Sequence, residues 1–234
     1  MYLHWDQKTI TDFSPESVEA LYNNGYVFTR LGKGVMHQTR SARIDLSKFE
    51  LSSENRRILK KCEGLEMEKL PLPLSLSSDD TRYAIHDTRY SWPIGKMAKD
   101  FYQSRGAEFS ANKVKELLTD NSKSNFNCLL RYTLHATRHT SSYAICYDSP
   151  NIFHYSYPFY DINAPKDTGL GMMLLAIQKA KEDGRKYFYI GSLQRHSDTY
   201  KLQFEGMEWF DGNEWNTDME AIKKLLDELS LNKS

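Results

Sequence analysis

Lys166-Asp167-Thr168-Gly169-Leu170-Gly171 sets two glycines directly before an apolar run, "MMLLAI", that reads as a helix. Glycine is a poor helix former, so the pair has one of two uses. It is a turn, or it bares backbone N–H groups at a helix start, where an anion such as a phosphate is held. Farther on, "TYKLQFEGMEWF" places Tyr200 and Lys201 a few residues before Gly206 and a strand-like run. A tyrosine there offers a hydroxyl donor, and a packing role is the plain alternative. Cys62, Cys128 and Cys146 are scattered, and the seven histidines show no ligand-like spacing. No metal and no resident cofactor is expected.

These groups must be positioned by an ordinary globular chain. It has 234 residues, 40% hydrophobic and 26% charged, which fits one large domain or a core with an extension. No apolar run is long enough to span a membrane. "MYLHWDQKTI" lacks a basic stretch followed by an apolar one, so no secretory signal is expected. With the odd cysteine count, this points to the cytoplasm. Net charge is zero, yet residues 29–61 hold nine basic and three acidic side chains, and residues 205–234 eight acidic and three basic. Such a basic stretch suits a phosphate-rich partner; a solvated face is the bland alternative.

The patterning predicts a helix in "SPESVEALYNNG" with Ser14 as cap, a strand in "YVFTRL", a turn at Gly32 and Gly34, and extended chain in "HQTRSARIDL". A helix follows in "SSENRRILKK" and a strand in "LEMEKLPL". Two helices near 93–103 and 110–119 come next, the second with an apolar stripe of Val114, Leu117 and Leu118. "FNCLLRYTLHA", "SSYAICYD" and "IFHYSYPFYD" read as an antiparallel meander. Then come a helix over 170–183, a strand "KYFYIGSL", a short helix over 196–204 and a strand "MEWFDGNEW". Thr217-x-x-Glu220 reads as a capping box opening a last helix, with Met219, Ile222, Leu226 and Leu229 on one face.

From residue 63 onward this order resembles the GNAT acyltransferase fold, an α/β fold with a mixed central sheet flanked by helices. The expected organisation is a basic N-terminal extension over 1–62 and a GNAT-like domain over 63–234. Lys166 to Gly171 resembles the pyrophosphate loop of that fold. A finer resemblance, to the arginyl-tRNA–protein transferases and their bacterial leucyl-transferring relatives, rests on several segments. They are Gly25-Tyr26 to Arg30, Arg43-Ile44-Asp45, Phe49 to Arg56-Arg57, and Tyr157, Tyr160 and Asp161. Leu170-Gly171, Tyr187-Phe188-Tyr189-Ile190-Gly191 and Tyr200-Lys201-Leu202-Gln203-Phe204 complete the set. It is thin between about 70 and 125. "GVMHQTRSAR" stands where the family carries a cysteine cluster, and Asn55 stands in place of a glutamine.

The resemblance implies an aminoacyl-tRNA donor and the free α-amine of a protein or peptide N-terminus as acceptor. It makes Tyr200 the acid and Asp161 the group that orients or deprotonates the amine. Lys166, Gly169, Leu170, Gly171 and Lys201 would meet phosphates of the donor. Tyr157, Tyr160, Tyr187 and Tyr189 would stack on its terminal adenine, against the alternative of core packing. Arg40, Arg43, Arg56, Arg57 and Lys60 would hold the acceptor stem. Two other readings stay open: an acetyl-CoA-dependent N-acetyltransferase, and a non-catalytic binder of tRNA or peptide.

Overall fold

The computed structural model describes residues 3–76, 89–134 and 142–231. The chain begins β1 (Asp6–Thr9), α1 (Pro15–Asn23), β2 (Tyr26–Phe28), β3 (Val35–Gln38), β4 (Ser41–Asp45) and α2 (Ser53–Lys61). It continues β5 (Leu65–Pro71), β6 (Ser75–Leu76), β7 (Arg89–Tyr90), α3 (Trp92–Gln103), α4 (Ala111–Thr119), β8 (Cys128–Leu134) and β9 (Ser142–Asp148). Then come β10 (Ile152–Phe159), α5 (Thr168–Glu182), β11 (Tyr187–Ser192), a 3-10 helix (His196–Gln203), β12 (Met207–Phe210), β13 (Trp215–Asn216) and α6 (Met219–Leu231). The fold is α/β, with mixed strand pairing and flanking helices, as the patterning predicts. No described helix is long and apolar enough to cross a membrane.

The chain divides into two compact units: Met1–Arg57 with Ser149–Tyr155 and Ile177–Ser234, and Ile58–Asp148 with Ser156–Ala176. In the first unit the strands run β13-β12-β4-β11, then the opening residues of β10. β4 is antiparallel to both β11 and β12, whereas β10 and β11 are parallel over Ile152–His154 and Tyr187–Tyr189. The segment expected as an extension thus supplies an interior strand. Its buried pattern, "SARI" with every residue inside, follows from having a strand on either side. A smaller sheet, β1-β3-β2, is antiparallel and lies in the same unit. Gly34, at φ +77°, makes the turn into β3; a Cβ there would collide with the Ile10 carbonyl oxygen.

The second unit orders the end of β10, then β9, β8 and β5, with β8 antiparallel to both neighbours. Residues 135–141, where the expected meander turns, lie outside the described residues. Ser110 caps α4 by accepting from Lys113 N, and Val114, Leu117 and Leu118 are buried as the stripe requires. Two details of α6, in the first unit, differ from expectation. Its cap is Asp218, whose carboxylate accepts from Glu220 N and Ala221 N at 3.1 and 2.9 Å. The Asp side chain, one residue nearer, takes the place of Thr217. Leu229 is 36% exposed, so only Ile222 and Leu226 of the predicted face reach the core.

His154 is a buried titratable group at the centre of the first unit. The Tyr22 hydroxyl accepts from Phe28 N and shares a hydrogen bond with His154 Nδ1 at 2.8 Å. Burial, helped by the Lys201 charge, pulls its pKa from 6.5 down to about 3. The unfolded chain therefore binds the extra proton first. Stability contributed by this group is whole above pH 6.5 and falls by about 1.4 kcal/mol per pH unit from there towards pH 3. Urea midpoints between pH 7 and pH 4 should show this slope, and His154→Gln should flatten it; an unchanged slope in that variant would clear His154 of the effect.

Candidate functional site

In the second unit the start of α5 answers the question of the glycines sterically. Asp167 precedes it at φ +77°, and the Gly171 N–H already donates to the Asp167 carbonyl at 2.8 Å. The Thr168 N–H is likewise taken by the Pro165 carbonyl at 3.2 Å. A Cβ on Gly169 would lie 2.7 Å from the Tyr160 hydroxyl oxygen. One on Gly171 would lie 2.4 Å from Cys62 Sγ and 3.0 Å from Cys62 Cβ. Both glycines are thus needed to let two side chains approach the first turn of the helix. The Gly171 N–H is itself part of the helix ladder.

Cationic groups surround this turn. Lys61 pairs with the Asp167 carboxylate at 3.0 Å, and Lys166 is exposed. Arg105 lies with its guanidinium carbon 3.6 Å from the Phe101 ring centre and donates to the Tyr160 hydroxyl at 3.1 Å. Arg105 gives no sign of this in the sequence, because a basic residue at the end of a helix ordinarily serves the helix dipole. Leu170 is half-buried in the same turn. Tyr160 also packs edge-on to Phe101 at 4.6 Å, and Tyr157 sits edge-on to Phe109 and Phe126, both at 5.4 Å. Each is half-buried, with part of its ring in solvent. Asp161 is exposed, and its carboxylate caps a turn by accepting from Asn163 N at 2.8 Å.

In the first unit several expected nucleic-acid contacts are internal, and these are corrections. Arg43 is 6% exposed. Its Nε donates to Glu208 at 2.7 Å, and its guanidinium lies between Tyr187 and Trp215, 3.8 Å from each ring centre. It also donates to the Tyr189 hydroxyl at 3.2 Å. Tyr189 is fully buried, and burial pushes its pKa up to about 12. It offers no ring face for a base. Tyr187 is partly exposed but already carries Arg43 on one face. Arg40 is buried and donates to the Leu193 carbonyl at 3.1 Å; burial lowers its pKa. Lys201 is buried too, holding the Ser192 carbonyl at 2.8 Å and Asp198 at 3.3 Å. Charge type alone cannot tell these from surface cations, because each burial follows from tertiary pairing that places the residue inside.

Tyr200, by contrast, is 45% exposed on the 3-10 helix. Arg56, Arg57 and Lys60 are exposed on α2, with Arg57 paired to Glu54 and Arg56 donating to the Leu51 carbonyl. Among the described residues, no group of three or more His, Cys, Asp or Glu side chains could hold a metal ion.

No protein-family profile and no curated protein sequence matches the chain. Among solved structures it is similar to the C-terminal domain (DUF2156) assigned to a lysylphosphatidylglycerol synthetase of Agrobacterium fabrum. That match has 12% identity and a TM-score of 0.45, covering 93% of this chain and 70% of the other. It is similar to L-PGS from Bacillus licheniformis at 13% identity and a TM-score of 0.43, covering 90% and 70%. A GCN5-related glucosamine N-acetyltransferase region of a fungal multi-domain GH3 β-N-acetylglucosaminidase matches at 8% identity and a TM-score of 0.45, covering 86% and 22%.

Proposed function

We propose that the chain is an aminoacyltransferase that takes an amino acid from aminoacyl-tRNA and gives it to the N-terminal α-amine of a protein or peptide. The observation that carries this reading is α2. It leaves Arg56, Arg57 and Lys60 in solvent, the first two at the end of the Phe49-to-Arg57 segment that resembles the transferase family, while Arg40 and Arg43 turn inward. Exposed guanidinium groups suit the phosphates of an acceptor stem. In the second unit, Lys166, Lys61 and Arg105 around the first turn of α5 would suit phosphate by themselves.

The chemistry needs little activation. The neutral amine attacks the ester carbonyl, an N–C bond forms and the C–O bond to the ribose breaks. The amine loses a proton and the ribose oxygen gains one. Tyr200, exposed in the first unit, serves as the acid for that oxygen. Holding the reactants together supplies most of the acceleration, because the ester is already reactive.

The test is one assay with labelled aminoacyl-tRNA, acetyl-CoA and a peptide set. Label should pass from tRNA to a free N-terminus, and transfer from acetyl-CoA alone would replace this reading. Changing Arg56 and Arg57 together to Ala should weaken tRNA binding for all sequences alike. It should also reduce the salt slope by about 2, since each phosphate left without its cation lowers the slope by about 1. Tyr200→Phe should keep binding and slow transfer. An unchanged salt slope would remove α2 from the tRNA surface.

A further inference from the structure

The three cysteines are far apart along the chain, and strand pairing in the second unit brings two of them together. Cys128 opens β8, Cys146 lies within β9, and the antiparallel register sets them directly opposite each other. Residues so placed point to the same face of the sheet. Directly opposed residues have Cα atoms about 4.5–5.5 Å apart, inside the range of about 4.4–6.8 Å that a disulfide spans. The two thiols also share a hydrogen bond, so the sulfur atoms already face each other. Both are free thiols, 2% and 0% exposed. Cys62 lies before β5, outside this strand pair.

We propose that Cys128 and Cys146 are an oxidation site, closed into a cross-strand disulfide by hydrogen peroxide and reopened by a dithiol. One thiolate attacks a peroxide oxygen, the O–O bond breaks, and a sulfenic acid and water result. The second sulfur attacks the sulfenic sulfur, the S–S bond forms, and a second water leaves. Two thiols are oxidised, one peroxide is reduced, and both thiol protons end in water. Burial pushes the Cys146 thiol well up, so the closed strand end is inert and oxidation passes through its opening. That end is lightly held. Pro71, opposite Cys128 on β5, has no N–H to give the ladder. On the other side an exposed clamp holds it: the Asn127 amide accepts from Asp148 N at 2.9 Å and donates to the Asp148 carbonyl at 2.7 Å. The inference stands apart from the proposed function.

The test treats the folded full chain with hydrogen peroxide, alkylates the remaining thiols after denaturation, and maps the unreduced peptides by mass spectrometry. The peptides of Cys128 and Cys146 should appear linked to each other, and Cys62 should be linked to neither. The same treatment in urea removes the strand pairing, so links to Cys62 should then appear as well. Asn127→Ala, which opens the clamp, should speed closure several-fold. The linked protein should melt roughly 5–10 °C higher than the reduced one, since the bond closes a loop of fewer than 20 residues, and dithiothreitol should reverse the shift. Alkylation of both Cys128 and Cys146 after peroxide, a link to Cys62 in the folded chain, or a linked protein that melts lower than the reduced one overturns the proposal.

Discussion

Replacing Arg43 by alanine is expected to destabilise the protein severely, by about 3–5 kcal/mol, the usual cost of removing one partner of a buried ion pair. Glu208 would keep its charge with its side chain 12% exposed and lose its nearest cation. The Tyr189 hydroxyl would lose the guanidinium that donates to it at 3.2 Å, and Tyr187 and Trp215 would face each other across an empty slot. For a chain of this size the loss corresponds to a drop in melting temperature of roughly 10 °C. Arg43→Lys keeps the charge but not the planar group between two rings, so it should fall between the two. Thermal unfolding by circular dichroism measures this directly. The tRNA affinity of whatever remains folded should match that of the unaltered protein. If Arg43→Ala melts normally and loses only tRNA, Arg43 is a surface contact after all.

Arg43 also shows where the sequence can be read and where it cannot. The strand around it is visible, because alternating and β-branched residues mark extended chain. Its position between β11 and β12 is not, because sheet neighbours so far along the chain, Tyr189 and Glu208, leave no local signal. Burial of Arg43 follows from that pairing, and Arg40 turns inward beside it, so reading nine basic side chains over 29–61 as one surface overstates the patch. The exposed part is α2, where a helical period does show which side chains point outward. The α4 stripe is legible for the same reason. The cap of α6 falls one residue later than the pattern suggests, because Thr217 and Asp218 both belong to the capping set and only the loop geometry chooses between them. Tyr200 is exposed on the 3-10 helix, which the sequence pattern does not decide either way. Arg105 is not legible, since its bond to Tyr160 across 55 residues has no period to announce it.

Gly171→Val is expected to unfold the protein more readily rather than merely to repel a ligand. The new Cβ would fall 2.4 Å from Cys62 Sγ and 3.0 Å from its Cβ, and a rotation of the thiol relieves only the first clash. Overpacking of this kind costs about 1–3 kcal/mol, and the two added methyl groups in the restricted valine rotamer put this case at the upper end. The expected fall in melting temperature is roughly 6–12 °C. Gly171→Ala should show a smaller effect. The decisive measurement is the pair Gly171→Val with Cys62→Gly, which removes both clashing atoms. If the glycine exists for packing, the double variant regains most of the stability, and its affinity for aminoacyl-tRNA returns with it. If the glycine instead keeps a helix start open for an anion, the double variant regains stability while donor binding does not return. The first result is expected, because the atoms that a Gly171 side chain would meet belong to Cys62. Under the proposed function, removing Lys166, which is exposed beside this turn, should weaken tRNA binding without moving the melting temperature.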